Sequence, residues 1–286
     1  MSMCTTASAE LAEPLAATAA TARSWLLVEQ PGPWGAKALT ASHLDPATGR
    51  ELEKLAGEAG VRVGLIRRVG RHADCHEPQR RRVYAAGPSW VRTAEVGDPA
   101  ELLGWDLTAL EGCGEPYGGD PLALVCTNGK RDRCCALFGR PLAAELAAGE
   151  AGEVWETTHL GGHRFSPTML VLPYGYAYGR LDARHAMTVL EAAREGRVVL
   201  EGCRGRSAYD RPGQAADLAV RELTGEVRAD ALTVDGTRVT HTDGRVWEVD
   251  VVQHSAEPPR AESCGAAPVT PVRMVVTGVR EVSRRS

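Results

Sequence analysis

Three cysteines, Cys126, Cys134 and Cys135, fall within ten residues in the stretch "LVCTNGKRDRCCALFGRPL", in a chain that otherwise spreads its eight cysteines thinly. Thiols grouped in this way serve as metal ligands, as a redox pair or as a bridge. After twenty-three further residues comes "THLGGHRF", with His159 and His163 separated by three positions. Two adjacent glycines argue against a helix there and favour a backbone that bends closely around a ligand. Two thiolates and two imidazoles can then converge on one point. Zinc takes that donor set, although its usual cysteine spacing is two to four residues and here it is eight. A vicinal redox pair at Cys134 and Cys135 competes, but adjacent cysteines close only a strained ring and no C-x-x-C is present.

The elements that must hold these side chains follow from pattern. "SWLLVEQ" reads as a strand, "DPATGRELEKLAGEAG" as a short helix, "VRVGLIRRV", "RRVYAAG" and "SWVRTAEV" as strands, and "DPAELLGWDLTAL" as a helix capped by Asp98. The same order then returns. "PLALVCTN" is a strand that delivers Cys126 at its end, and "LFGRPLAAELAAG" is a helix that begins near Cys135. "VWETTHL", "TMLVLPYG" and "YAYGRLD" are strands, and "ARHAMTVLEAAREG" is a helix that Asp182 can cap. The repeat is one of element order, since residue identity between the halves is low.

Both pairs of candidate ligands therefore stand at strand ends of one α/β unit, where open sheets hold their ligands. The expected fold class is α/β: two thioredoxin-like α/β halves followed by a small β-rich C-terminal region, in which Asp-Gly pairs mark hairpins. The division predicted is a disordered Ala/Thr tail over 1–22, an N-terminal half over 23–118, a second half over 119–200, and a helix with a β-rich appendage over 201–286. "SAEPPRAESCGAAPVTP" in the last part reads as loop.

Composition narrows the function. With 286 residues the chain can build about two cores without disulfides. A net charge of −4, a pI near 6.1 and no basic stripe interleaved with aromatics exclude nucleic acid as an expected partner. No apolar run approaches the roughly 20 residues of a membrane helix. No Lys or Arg precedes Arg23, so the N-terminus does not read as a secretory signal; the expectation is a cytoplasmic protein, where clustered cysteines mean metal or catalysis more often than a bridge. Glycoside hydrolysis needs two facing carboxylates, and no spacing singles out such a pair.

Lesser candidates are His72, Cys75 and His76 in a loop without an evident fourth ligand, and Tyr174, Tyr176 and Tyr178 around a hairpin. Cys203 and Cys264 are isolated, and Trp34 reads as a loop anchor.

"VCTNGKRDRCCALFGRPL" followed by "HLGGHRFSPTMLVLPYG" resembles the sucrase/ferredoxin-like family, whose members carry a thioredoxin-like [2Fe-2S] ferredoxin domain. The resemblance implies cluster ligands at Cys126, Cys135, His159 and His163, with the adjacent Cys134 as a backup ligand. It implies single-electron transfer or redox sensing with a donor or acceptor protein, rather than sucrase activity. The alternative is a zinc-stabilised adaptor module without redox activity. Asn128 departs from the family, whose members often carry His there. Two imidazoles in place of two thiolates leave an oxidised cluster formally neutral instead of a dianion, which implies a comparatively high potential. Lys130, Arg131, Arg133 and Arg164 flank the ligands against a single Asp132, and charge of that sign pushes the same way. The second ring nitrogen of each ligand histidine implies proton-coupled reduction.

Overall fold

The computed structural model describes residues 3–70, 80–149 and 152–282. The candidate group at His72, Cys75 and His76 lies outside the described residues.

In chain order the elements are α1 (Cys4–Glu10), β1 (Ser24–Glu29), α2 (Pro46–Glu58), β2 (Val61–Arg68), β3 (Arg81–Ala86), β4 (Val91–Val96) and β5 (Glu115–Pro116). Then come β6 (Leu122–Cys126), α3 (Arg133–Ala148), β7 (Glu153–Thr157), β8 (Thr168–Leu172), β9 (Tyr176–Gly179), α4 (Ala183–Arg194) and β10 (Cys203–Arg206). The remainder is α5 (Arg211–Thr224), β11 (Leu232–Asp235), β12 (Arg238–His241), β13 (Val246–Ser255), β14 (Arg260–Ala261), β15 (Pro268–Val269) and β16 (Val272–Glu281).

The element order predicted twice from the sequence is realised as one connectivity used twice. β1 pairs parallel with β2 and antiparallel with β3, which carries β4 outside it. β6 pairs parallel with β7 and antiparallel with β8, which carries β9. The two halves do not keep separate sheets. β2 and β7 pair antiparallel, Arg67 opposite Glu156, and fuse them into one ten-stranded sheet in the order β10-β9-β8-β6-β7-β2-β1-β3-β4-β5. At the seam the buried Arg67 guanidinium donates to Glu156 at 2.6 Å, Thr127 Oγ1 donates to the same carboxylate at 2.8 Å, and Arg67 lies 3.9 Å over the Trp34 ring. A buried ion pair needs such extra donors and contacts to offset its desolvation. Trp34 is the anchor its loop position suggested: its ring N–H donates to Gln30 O at 3.0 Å.

Side chains alternate along β6. Ala123 and Val125 join Leu142, Leu146 and Leu190 of α3 and α4, whereas Leu124 and Cys126 join Trp25, Leu27, Ile66, Trp155 and Leu170 in a core that crosses the seam. A strand buried on both faces reads as an unbroken apolar run, as "LALVC" does.

Three expectations change. Residues 3–22 are not a disordered tail: α1 buries Cys4, Thr5 and Ser8, and Glu13 pairs with Arg164 at 2.9 Å and Arg260 at 3.0 Å. Its anchors are polar and its buried residues small, so no hydrophobic period announces it. "DPAELLGWDLTAL" is not one α-helix but two 3-10 turns, Pro99–Gly104 and Leu107–Gly112. Asp98 caps the first as expected, while Asp106 takes the Thr108 N–H at 3.0 Å and starts the second, which prevents a continuous helix. The large sheet also runs past residue 200, because β10 pairs with β9.

The C-terminal region is a four-stranded antiparallel sheet, β11-β12-β13-β16, turned at Asp235-Gly236 and Asp243-Gly244 as the Asp-Gly signal implied. Within the stretch expected as loop, β14 and β15 form a two-stranded ribbon with Cys264 between them. Among the described residues no helix is long and apolar enough to cross a membrane.

Candidate metal centre

Cys126 is the last residue of β6. The chain then turns through Asn128, whose Oδ1 accepts from the N–H groups of Lys130 and Arg131 at 3.2 and 3.3 Å and whose amide donates to Gly35 O at 3.0 Å. Asn128 is thus a turn former, the role of an Asx motif. Asp132 caps α3 by accepting the Cys134 N–H at 2.8 Å, which sets Cys135 in the first turn above the end of β6. Eight intervening residues are what this strand, turn and cap consume.

β7, parallel to β6, ends beside it and leads to His159. Gly161 and Gly162 follow with φ of +84° and +71°, the left-handed region that the glycine pair supplies, and the bend returns the chain so that His163 opens a short 3-10 turn.

The four side chains are neighbours, and of them Cys135 and His163 belong to one close donor group, with Asp132. The Cys126 sulfur has Cys135, the His159 ring and the Leu160 N–H beside it. Cys135 Sγ stands 3.5 Å from His163 Nδ1 and receives Ser166 Oγ at 3.6 Å. The imidazoles of His159 and His163 stack with centroids 4.1 Å apart and planes 20° from parallel. Cys126, Cys135 and His163 are buried, and His159 is half-buried.

The Cys135 thiol, then the His159 ring and the Leu160 N–H beside it, hold Cys126 well below the usual thiol range against its burial, and the same contact together with burial pushes Cys135 up. Burial, then His159 beside it, pushes His163 down to about 4. At neutral pH that ring is the neutral imidazole a metal requires. Two arginines that sequence patterning did not single out, the half-buried Arg62 and the buried Arg204, lie near Cys126. Arg62 donates to His159 O at 2.9 Å, and Arg204 donates to Gly161 O and Thr18 Oγ1, each at 3.0 Å. Burial pushes both guanidinium groups down, yet such groups remain charged at neutral pH.

Of the cations expected around the site, Arg164 is neutralised by Glu13 and by Glu262 at 3.1 Å. Cys134 does not face Cys135's partners. Neighbouring residues on a helix point about 100° apart, and its sulfur instead lies 3.2 Å from Cys264 and 3.6 Å from Cys4. The vicinal pair is therefore split between two environments. Tyr176 and Tyr178 are core residues, Tyr176 donating to Asp217 at 3.0 Å.

Residues 15–205 match the sucrase/ferredoxin-like family. The chain belongs to that family. No curated protein and no solved structure matches it. Among the described residues the donor atoms of Asp132, Cys135 and His163 lie within 4.8 Å of one another, as do those of Cys4, Asp132, Cys134 and Cys264, so Cys, Asp and His side chains are grouped closely enough to hold metal. Two thiols and two imidazoles are ligand types that zinc and Rieske-type [2Fe-2S] clusters both take.

Close packing of α3 on β6 makes this geometry. A Cβ at Gly139 would stand 2.2 Å from the carbonyl oxygen of Cys126, nearer than any atoms pack. Gly139→Ala is expected to push α3 outward, to cost about 1–3 kcal/mol as overpacking does, and to separate Cys135 from Cys126. Thermal melting and metal content per chain check it, and a variant that melts and loads like wild type would show that the contact does not matter.

Proposed function

We propose that the second half is a thioredoxin-like ferredoxin domain that holds one [2Fe-2S] cluster through Cys126, Cys135, His159 and His163, and that the protein transfers single electrons or reports redox state. The observation that carries the reading is the meeting, at one end of parallel strands β6 and β7, of two buried thiols and two stacked imidazoles in a member of a ferredoxin-like family. When bound, the cluster supplies a one-electron site. The chain's own contribution is to bind and tune it: Cys126 and Cys135 give thiolates, and His159 and His163 give neutral imidazoles. Arg62 and Arg204 put positive charge beside Cys126, which favours the more negative, reduced state.

Electrons have a natural exit at His159, the half-buried member. It lines a groove of about 690 Å³ together with Lys37, Arg62, Arg131 and Asn128. Three cations against the single carboxylate of Glu53 suit an acidic redox partner protein docking there.

Anaerobically purified protein is expected to be red-brown and, after dithionite reduction, to give the EPR signal of a reduced [2Fe-2S] centre. Cys126→Ser is expected to abolish both. A colourless protein with zinc in equal amount, lost on the same substitution, would establish the zinc-stabilised module instead.

A further inference from the structure

One residue before Cys135, a second group of sulfurs gathers, two of them from outside the residues that match the family. Cys134 Sγ is 3.2 Å from Cys264 Sγ, and Cys4 Sγ is 3.6 Å from each of them. The three form a nearly equilateral triangle contributed by α1, the first turn of α3 and the β14–β15 ribbon. Cys4 and Cys134 are 1% and 0% exposed. The Asp132 carboxylate stands over the triangle, its oxygens 3.7 and 3.8 Å from Cys4 Sγ. It is aimed by Ser263 Oγ at 2.9 Å and by the N–H groups of Cys264 and Cys134, both at 2.8 Å.

We propose that Cys4, Cys134, Cys264 and Asp132 bind one zinc ion. Four donors at about 2.3 Å around a tetrahedral centre put sulfurs on the order of 3.8 Å apart, so the sulfurs need spread by only a few tenths of an ångström. A disulfide would use two sulfurs and leave the third thiol buried against a carboxylate. In the metal-free arrangement three thiol protons crowd one carboxylate. Zinc replaces those protons: one Zn²⁺ enters, three S–H bonds are lost, three protons are released and no electrons move. Thiolates from three segments select a thiophilic ion, and the fourth, oxygen donor gives zinc its closed tetrahedral set.

The consequence is structural. Cys4 and Cys264 lie outside residues 15–205, so the ion fastens the N-terminal segment and the C-terminal ribbon onto the helix turn that carries Cys135. The site stands whether or not the neighbouring ligands hold a cluster.

Full-length wild type, Cys126→Ser, Cys4→Ser and Cys264→Ser, purified under reducing conditions, test it by zinc stoichiometry and by Co²⁺ titration followed through the thiolate-to-cobalt charge-transfer band. The expected result is one zinc per chain in wild type and in Cys126→Ser, and at least tenfold weaker Co²⁺ binding in each of the other two. Circular dichroism distinguishes lost ligands from lost fold, and Cys264, half-buried in its ribbon, is the substitution least disruptive to packing. Unchanged Co²⁺ affinity in both Cys4→Ser and Cys264→Ser would overturn the proposal, as would thiol mapping that finds a Cys134–Cys264 disulfide and no zinc. Colourless wild type that still loses its zinc on Cys264→Ser would refute the cluster and leave this site intact.

Discussion

Replacing both His159 and His163 by cysteine is expected to lower the midpoint potential of the proposed cluster by several hundred millivolts. With two imidazoles the oxidised centre carries no formal charge, and with four thiolates it is a dianion that resists a further electron. Rieske-type ligation accordingly spans roughly −150 to +300 mV, against about −400 mV for plant-type four-cysteine centres. The protein surroundings reinforce the histidines. Arg62, half-buried, and Arg204, buried, act on Cys126 from positions where charge is screened less than at an open surface. The double variant keeps these arginines, so its potential should settle above the plant-type value while falling far below wild type. Redox titration of anaerobically prepared wild type and variant, followed by EPR, measures the difference. Equal potentials, with the spectrum unchanged, would remove the histidines from the ligand set.

A second large effect is expected far from the metal. Asp217 and Arg221, one turn apart on α5, are both fully buried, with Arg221 Nε donating to Asp217 Oδ1 at 3.1 Å. Tyr176 of β9 donates to the other oxygen at 3.0 Å, and Arg221 donates to Arg228 O at 2.8 Å. This group joins the large sheet to the helix that supports the C-terminal sheet. Asp217→Ala removes the anion and leaves the guanidinium and the tyrosine hydroxyl buried without it, which costs about 3–5 kcal/mol. Against a total stability of roughly 5–15 kcal/mol this is a drop of about 10 °C in melting temperature. Asp217→Asn, which keeps acceptor and shape, should lose less. A melting curve for Asp217→Ala within a degree or two of wild type would show that the pair contributes little.

Much of the layout was legible beforehand because its causes are local. Strands such as "LALVC" announce themselves by a continuous apolar run, Asp98 and Asp182 by their position before a helix or turn, and the C-terminal hairpins by Asp-Gly. Twofold repetition of element order was visible too. That the two copies share one sheet was not, since the seam between β2 and β7 rests on an Arg67–Glu156 contact across 89 residues that no periodicity records. The break in "DPAELLGWDLTAL" depended on whether Asp106 would bind its own backbone, which is a choice between two local hydrogen bonds of similar strength.

By itself the sequence determined that two thiols and two imidazoles sit beside strand ends, because turn length, cap and glycine pair are all short-range. Tertiary structure alone decided which of two adjacent cysteines faces which neighbours, and that Cys4 and Cys264 meet Cys134 from opposite ends of the chain. Helix geometry turns Cys134 and Cys135 away from each other, and only packing of the N-terminal segment and the ribbon against α3 brings the distant sulfurs within 3.6 Å. Spacing along a chain carries no record of contacts made across it.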